Sequence, residues 1–469
     1  MNAADLLASL PDGWRSVPLK TVCDFSVSNV DKHSFDDELP VRLCNYTDVY
    51  KNDRVSPDMG LMAATATPQE IERFHLEVGD VVITKDSESW NDIAVPAYVQ
   101  ATSEDFVCGY HLALIRPRKE VFDGRFLFRC MQSRPVALQL ELKATGVTRY
   151  GLPKDAIGLA VLPLPPLPAQ VRIANYLDCE TARIDGLIAE KERMLALLEE
   201  KRAALISRVV TRGLDPTSSP GANLNAEGGP KGEGKDSPSS APLKPSGQEW
   251  LGEIPAHWRV LRLKFATSGI DQGSSPQCYS YPAEPGECGV LKTGCVNGGE
   301  FREHENKALP DETEAFPESE VHQGDVLMSR ASGSVNLIGS VAHVSRQPAA
   351  RLLLSDKIYR FRVRGDVLSP HFLVLAMGAR YLRHQIKSVI SGAEGLANNV
   401  AKSDIMELLL VVPPVPEQER IVSYLDRAIS SNRVLCDALS ESITLAKEHR
   451  AALITAAVTG KIPLEAMRV

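Results

Sequence analysis

The sequence predicts an α+β protein in which one module occurs twice, each copy a globular part followed by a long helix. The first observation is a repeat: PPLPAQVRIANYLD, residues 165–178, returns as PPVPEQERIVSYLD, residues 413–426. The second is a pair of short β-branched runs, residues 79–85 and 324–330, which both begin with Gly-Asp-Val. The third is the stretch 170–212, which contains no Pro and is rich in helix formers. Together these patterns indicate two copies of one unit that mixes strands and helix.

Length and composition limit the classes of protein. The chain has 469 residues and a net charge of −8, so several domains are expected and a generally basic nucleic-acid coat is excluded. Any contact with DNA must come from local patches. The nine cysteines form no CxxC pair, which argues against a zinc site or a disulfide framework. The sequence shows neither a signal peptide nor a run of about 18 apolar residues, and we expect a soluble cytoplasmic protein that contacts no membrane.

The globular part of each copy comes first. Runs such as GDVVITK and GDVLMSR predict strands bounded by turns, and helices are expected around residues 126–142 and 370–390. Between the copies, a stretch without aromatic residues and dense in Gly, Pro and Ser predicts a flexible linker. The expected segments are a globular domain at 1–164, a helix at 165–213, the linker at 214–248, a second globular domain at 249–412, and a second helix with a short tail at 413–469.

The two long helices have the pattern of a coiled coil. In the first helix, apolar residues recur at the three- and four-residue steps of a coiled-coil seam, with charged residues between them. These seam positions are Ile184, Ile188, Leu195, Leu198, Leu205 and Val209. A helix of this length is roughly 60 Å long, more than one small domain needs, so it requires a second long helix to pack on.

The second long helix supplies the partner in this prediction. Its equivalent seam positions carry smaller side chains on average, which would interdigitate with the larger ones of the first helix. These positions are Asn432, Cys436, Ile443, Ala446, Leu453 and Ala457. We therefore expect the two helices to pair as an antiparallel coiled coil within the chain. The alternative is that each helix folds back on its own globular part.

Catalytic motifs are missing from the sequence. Residues 229–235, GPKGEGK, match a phosphate loop only formally, because Asp236 stands where Ser or Thr should bind magnesium and no strand precedes the motif. There is no nucleophile elbow, HExxH, dinucleotide-binding fingerprint, adenine-methyltransferase motif or metal-ligand cluster. We expect a protein with no catalytic residues, no metal site and no cofactor of its own.

A pair of polar loops follows the Gly-Asp strands and could read DNA. Arg and Lys can bond guanine edges, Asn can pair with adenine, and Ser reaches bases or phosphates. The candidates in the first copy are Lys85, Ser87, Ser89 and Asn91. Those in the second copy are Arg330, Ser332, Ser334 and Asn336. The same residue types also form ordinary turns, and this alternative remains open.

A second pair of loops lies just before each Pro-rich stretch. Residues 145–154 and 391–402 share a frame, Thr or Ser before Gly and a final Lys, but differ inside it. The candidates here are Arg149, Tyr150 and Lys154 in the first loop and Asn398, Asn399 and Lys402 in the second. A shared frame with different contents is what two related readers of different DNA sequences require.

Two segments of the chain resemble a known family. YLDCETARIDGLIAEKERMLALLEEKRAALISRVVTRGLDP, residues 176–216, and EWLGEIPAHWRVLRLK, residues 249–264, are closely similar to the specificity subunit of type I restriction-modification enzymes. The resemblance extends over essentially the whole chain, as two target-recognition domains that are each followed by a conserved helix. The Gly, Pro and Ser insertion after Pro216 is longer than the family pattern.

The resemblance implies a function and partners. Each target-recognition domain would read one half of a split sequence in double-stranded DNA, and the paired helices would set the distance between the halves. The helices would also dock two methyltransferase subunits, with restriction and translocase subunits joining that core. S-adenosylmethionine, ATP and magnesium would be bound only by those partners.

Two other functions remain open. The chain could be a tandem coiled-coil scaffold that binds only proteins and no longer reads DNA. It could also be an autonomous nuclease or methyltransferase, although the motifs for such chemistry are missing.

Overall fold

The structure of the chain is a computed structural model that describes residues 10–214, 242–310, 317–391 and 398–468. Contacts group these residues into two compact units. Unit 1 consists of the described residues of Met1–Arg193 and Leu439–Val469, and unit 2 of those of Met194–Ala438. Residues 215–241 of the predicted linker, and with them the phosphate-loop-like stretch, lie outside the described residues. The five segment boundaries stay a prediction.

The described residues contain ten α-helices. They are α1 (Tyr46–Lys51), α2 (Pro68–Phe74), α3 (Gly124–Gln132), α4 (Arg134–Glu141), α5 (Lys154–Leu159), α6 (Leu167–Arg212), α7 (Pro370–Gly378), α8 (Arg380–Ser388), α9 (Lys402–Met406) and α10 (Val415–Val458). None of the helices described is long and apolar enough to cross a membrane. Helices α6 and α10 are the two long helices of the sequence repeat, and each begins directly after its Pro-Pro pair.

Strands β1 to β12 belong to unit 1 and strands β13 to β25 to unit 2. The first set is β1 (Arg15–Pro18), β2 (Cys23–Val27), β3 (Leu39–Cys44), β4 (Arg54–Val55), β5 (Met62–Ala66), β6 (Val81–Thr84), β7 (Asp86–Ser87), β8 (Pro96–Val99), β9 (Phe106–Cys108), β10 (Leu112–Pro117), β11 (Tyr150–Gly151) and β12 (Val161–Leu164). The second set is β13 (Leu243–Pro245), β14 (Glu253–Pro255), β15 (Arg259–Arg262), β16 (Thr267–Gln272), β17 (Cys288–Leu291), β18 (Asn306–Ala308), β19 (Val326–Ser329), β20 (Ala331–Ser332), β21 (Val341–His343), β22 (Arg351–Leu353), β23 (Ile358–Val363), β24 (Asn398–Asn399) and β25 (Leu409–Val412).

The same sheets recur in the two units, which confirms the α+β class and the tandem repeat. Unit 1 has a five-stranded sheet in the order β2-β10-β6-β8-β4, and unit 2 has a four-stranded sheet in the order β16-β23-β19-β21. The predicted strands after Gly79 and Gly324 become β6 and β19, whose four residues are all buried. A continuous apolar run is what a strand covered on both faces needs. Each unit also contains a three-stranded sheet, in the order β5-β3-β9 in unit 1 and β18-β17-β22 in unit 2.

In each repeat, the strand that directly follows the tryptophan, Trp14 or Trp258, pairs with the strand that precedes the long helix. Strand β1 is antiparallel to β12, with Val17 opposite Leu162, and β15 is antiparallel to β25, with Leu261 opposite Leu410. Further along the chain, β13 pairs with β14 in an antiparallel two-stranded sheet. Residues 243–245, which lie within the predicted linker, thus form a strand.

The helix expected around residues 126–142 is two helices in the structure, and so is its counterpart in the second repeat. Ser133 separates α3 from α4 with an extended backbone, φ −73° and ψ 140°. Pro135 then lies in the first turn of α4, where a missing N–H costs nothing. Ala379 separates α7 from α8 in the same way, with φ −70° and ψ 147°. Apolar residues continue on both sides of each break, so the apolar pattern alone does not mark it.

Each unit has a core to which both long helices contribute. The core of unit 1 includes Ile173 and Leu177 from the start of α6, together with Ile454 and Val458 from the end of α10. The core of unit 2 includes Val209 and Val210 from the end of α6, together with Ile421 and Leu425 from the start of α10. The globular part of each repeat is thus completed by the end of the helix from the other repeat.

At the carboxyl-terminal end of each long helix, a glycine packs close to a tryptophan. Gly213 ends α6 with φ +81°, a value that favours glycine, and a Cβ there would lie 3.4 Å from Trp258. Gly460 follows α10 with φ +72°, and a Cβ there would lie 2.3 Å from Pro11 and 3.3 Å from Trp14. In unit 2 the Nε1 of the buried Trp258 donates to Glu417 at 3.0 Å.

The predicted antiparallel pairing of the long helices is confirmed. In unit 1, Arg450 of α10 lies 2.8 Å from the carboxylate of Asp185 in α6. In unit 2, the Nδ2 of Asn432 in α10 donates to the carbonyl of Leu198 in α6 at 3.2 Å. Of the seam positions in α6, Ile184, Ile188 and Val209 are buried, and Leu195, Leu198 and Leu205 are half-buried. A buried Asn in a seam fixes the register of paired helices, and Asn432 has the partner that this role needs.

A buried glutamine fastens the start of each long helix to its globular part. Gln170 accepts from the N–H of Asp123 at 2.8 Å and donates to the carbonyls of Val121 and Pro165. Gln418 accepts from the N–H of Ser369 at 2.7 Å and makes the equivalent bonds to two carbonyls. Both side chains are fully buried. This contact explains why PAQ and PEQ recur in the repeat.

We expect Gln170→Leu to lower the free energy of unfolding of unit 1 by about 2–4 kcal/mol, because three main-chain groups lose the buried amide that is their hydrogen-bond partner. Gln418→Leu should do the same to unit 2. Urea unfolding followed by circular dichroism measures the loss. The exposed Gln100 provides the control, and Gln100→Leu should change stability by less than about 0.5 kcal/mol. Equal stability of all three variants would show that the buried amides contribute nothing.

Candidate nucleic-acid interface

The structure brings together the two loops that the sequence singled out in each repeat. In unit 1, β7 pairs with β11, so that Ser87 lies opposite Tyr150 and Asp86 opposite Gly151. In unit 2, β20 pairs with β24, so that Ser332 lies opposite Asn398 and Ala331 opposite Asn399. We use the name paired loops for each of these two-stranded sheets, β7-β11 and β20-β24, together with the loops that flank it. Their register is the same in both units, although the side chains differ.

Main-chain bonds hold the paired loops of unit 1 in place. Leu152 donates its N–H to the carbonyl of Lys85 at 2.8 Å, and Lys85 donates to the carbonyl of His111 at 2.8 Å. Thr145 and Gly151 exchange both main-chain hydrogen bonds. The two loops are thus fixed to the end of the large sheet, while the side chains of residues 145–149 between these anchors remain exposed to solvent. A rigid scaffold under variable side chains is suited to reading a ligand.

Charged residues form a chain across the paired loops of unit 1. Asp86 lies 2.5 Å from Nδ1 of His111 and 3.3 Å from Nζ of Lys85. Nε2 of His111 lies 3.4 Å from the guanidinium of Arg149, which is otherwise exposed. The backbone of His111 has φ +69°, which is unusual for a residue other than glycine. Strain of this kind is typical of functional sites.

The remaining candidates of unit 1 differ in availability. The hydroxyl of the buried Ser87 accepts from the N–H of Ser89, and the hydroxyl of Ser89 donates to Asn91 at 2.6 Å. Asn91 is exposed. Tyr150 is half-buried, and the exposed Lys154 lies with its Nζ 5.9 Å from the ring centre of Phe25. Ser87 therefore shapes the loop, and the exposed residues are those able to reach a ligand.

Arg330 is the central residue of the paired loops in unit 2. It corresponds to Lys85 and accepts from the N–H of Val400 through its carbonyl at 3.1 Å. Its guanidinium donates to the carbonyl of Asp356 at 3.2 Å and lies 5.9 Å from the ring centre of Tyr359. Burial raises the pKa of Tyr359, and the nearby Arg330 opposes this rise. The Nε atom of Arg330 is buried and has no hydrogen-bond partner among the residues that the structure describes.

The other candidates of unit 2 again fall into two groups. Ser334 and Asn336 are exposed, and Ser332 accepts from the N–H of Ser334 at 3.2 Å. Asn398 is buried, and Asn399 exchanges main-chain bonds with Ser391. Lys402 donates its Nζ to the carbonyl of Ile270. Residues 392–397 of the predicted loop lie outside the described residues. A direct contact of any of these residues with DNA stays a prediction.

Sequence reasoning missed several residues of this surface. Asp86 and His111 are central in unit 1, and in unit 2 Arg383 holds the loop by donating to the carbonyls of Asn336 and Ile338 at 2.9 and 2.7 Å. Asp86 lies within the polar loop at residues 85–91, but its pairing with His111 is visible only in the structure. His111 and Arg383 come from other elements and carry no local signal.

The chain is similar to proteins of one kind. It is 29% identical over 285 residues to the type I restriction enzyme EcoEI specificity subunit of Escherichia coli, an alignment that covers 59% of this chain and 45% of that protein. It is 22% identical over 432 residues to the type I restriction enzyme EcoKI specificity subunit of Escherichia coli strain K12, with 89% of this chain and 82% of that protein covered. The first alignment thus spans less than half of its relative and the second most of it.

A solved structure has the same fold. It comes from work on complex assembly and conformational transition of the type I restriction-modification system, and it matches with a TM-score of 0.66 at 19% identity. The match covers 97% of this chain and 100% of that one. No protein-family model matches the chain.

Proposed function

The chain is a relative of the type I restriction enzyme specificity subunits, and from this premise we propose that it reads a DNA target in two halves, one with each unit. The observation that carries the proposal is the paired loops. They occur twice in the same register, on the same sheet end, with different exposed side chains. Related frames with different contents fit two half-sites of different sequence.

The proposed complex places the chemistry elsewhere. Two methyltransferase subunits would bind to this chain and methylate adenine with S-adenosylmethionine, and restriction and translocase subunits would use ATP and magnesium. An adenine must leave the duplex before it is methylated, so the enzyme must be positioned relative to the target. The role of this chain is to provide that position, in the cytoplasm and without catalytic residues.

The net charge of −8 fits this division of roles. Phosphate contacts give DNA affinity that is independent of sequence and falls with salt, and partner subunits can supply most of them. We expect the isolated chain to bind DNA weakly and with strong salt dependence. A nanomolar, sequence-specific complex of the isolated chain at physiological salt would contradict this expectation.

Deleting the gene in its host tests the function. Single-molecule sequencing of genomic DNA should show a methylated-adenine motif in two separated halves, and this motif should disappear on deletion and return on complementation. Persistence of every such motif after deletion would favour a scaffold that binds only proteins. Methyl transfer by the purified chain alone would show instead that it is an autonomous enzyme.

A further inference from the structure

Unit 2 carries a basic surface that is separate from the candidate base-reading residues. Its centre is helix α8, whose basic residues share one face because they lie three, four or seven residues from Arg380; they are Arg380, Arg383, His384 and Lys387. The opposite face of α8 is buried through Tyr381, Leu382 and Ile386. Helix α8 contains no acidic residue. In a chain with a net charge of −8, this local concentration of positive charge stands out.

The basic face of α8 continues into a groove at the end of α6. The groove has a volume of about 560 Å³, and its lining includes Arg208, Arg212, Arg380 and His384. Trp250 stacks on Tyr381 along the groove, with ring centres 6.1 Å apart. Arg380 lies 3.6 Å from the exposed carboxylate of Glu200. Within the described part of the chain, Arg208, Arg212 and Lys387 form no ion pair, and all three are exposed.

Unit 1 has the same helix without the charge. Its counterpart is α4, as the anchoring bonds show: the N–H of Arg380 donates to Ser207, and the N–H of Arg134 donates to Thr455. The positions equivalent to Arg383, His384 and Lys387 are Ala137, Leu138 and Glu141 in α4. Arg134 is the one cation of this helix, and it is bonded to Glu141 at 2.6 Å. The basic surface is therefore a property of unit 2 alone and is not required by the fold.

We propose that this surface, Arg208, Arg212, Arg380 and Lys387, binds the phosphates of double-stranded DNA beside the half-site that unit 2 reads. The proposal rests on the proposed function. Its geometric support is Arg383, which lies on the same helix face and donates to the carbonyls of Asn336 and Ile338 in the paired loops. The basic face thus lies next to the residues predicted to contact bases.

The dimensions fit a strand of DNA. From Arg380 to Lys387 the helix rises about 10 Å, the axial span of about three phosphates of one strand. Guanidinium groups and the nearby hydroxyls of Ser207 and Thr211 are the groups that proteins commonly place against phosphates. Because phosphates carry no sequence information, the surface adds affinity to unit 2 without adding specificity.

The test compares full-length chains that differ only in these charges. The variant is Arg208→Gln with Arg212→Gln and Arg380→Gln, and binding to duplex DNA is measured from low to physiological salt. We expect the slope of log K against log salt to be shallower by about 2 to 3, since each phosphate contact contributes about 0.9. Affinity at low salt should fall roughly 10- to 100-fold, equally for target and unrelated sequences.

Two further variants make the result specific. Replacing the same three arginines by Lys should retain the slope, because the slope depends on the positive charge and not on the shape of the side chain. Replacing Arg259, Arg346 and Arg364 by Gln removes the same charge from exposed positions elsewhere in unit 2 and should leave the slope nearly unchanged.

A slope that is the same in the two Gln variants would overturn the proposal while the proposed function stands. Loss of assembly with the methyltransferase subunits at unchanged DNA affinity would overturn it in favour of a protein-docking surface. Failure of the unaltered chain to bind DNA, alone or with those subunits, would instead remove the proposed function.

Discussion

Exchanging residues 145–154 for the corresponding loop of another family member is expected to change one half of the methylated DNA motif and to leave the other half as it was. The reason is that this loop pairs with residues of unit 1 alone, through β7 and β11. The exchange should therefore replace base contacts in one unit. Each well-formed contact with a base discriminates by about 1–3 kcal/mol, so the loss of two or three of them is enough to abolish the original half-site.

The graft must preserve the frame of the loop. Thr145 and Gly151 exchange their main-chain bonds, and Leu152 bonds to Lys85, so these contacts should be retained in the exchanged segment. The matched control exchanges residues 391–402, which should change the other half of the motif. Single-molecule sequencing of methylated DNA measures both. If either graft altered both halves, the assignment of one half-site to each unit would be wrong.

Removing residues 191–197 from α6 and 438–444 from α10 should bring the two halves of the motif closer together or abolish activity. Seven residues preserve the heptad seam and shorten each helix by about 10 Å, the rise of about three base pairs. A whole heptad is removed because deleting a single residue would rotate the apolar seam of the helix toward solvent. The spacing of the methylated motif measures the effect.

Deleting seven residues from one helix alone provides the control. It should destroy the pairing instead of resetting the distance, because contacts such as that of Asn432 with Leu198 would lose their partners on one side. The expected result is loss of methylation with no new spacing. An active complex with unchanged spacing after the double deletion would refute the idea that helix length sets the distance between half-sites.

The main helices and strands could be predicted from the sequence, but the contacts that several of them make could not. The repeat at 165–178 and 413–426, the strands after Gly79 and Gly324, and the antiparallel helices followed from periodicity, because burial imposes a period on each element. The breaks at Ser133 and Ala379 did not, since apolar residues continue on both sides of each extended residue. Which helix end covers which globular part is likewise set by packing and leaves no trace in local composition.

The same difference applies to the candidate interface. The loops at 85–91 and 145–154 drew attention separately, through polar residues that match base edges. That β7 and β11 would join them could not be read from a pair of two-residue strands, which are too short for any sequence signal. His111 and Arg383 complete the surface only because the sheet and α8 bring them there.

The completion of unit 1 by Ile454, Val458 and Met467 has a consequence for biosynthesis. At about 5–20 residues per second, a ribosome that has made residue 193 needs on the order of tens of seconds to reach the end of the chain. During that time the first half of unit 1 exposes the apolar surface that α10 later covers, although its own residues were translated first. The order of synthesis is thus the reverse of the order of completion, and a nascent chain that terminates early within α10 leaves its amino-terminal half unfinished.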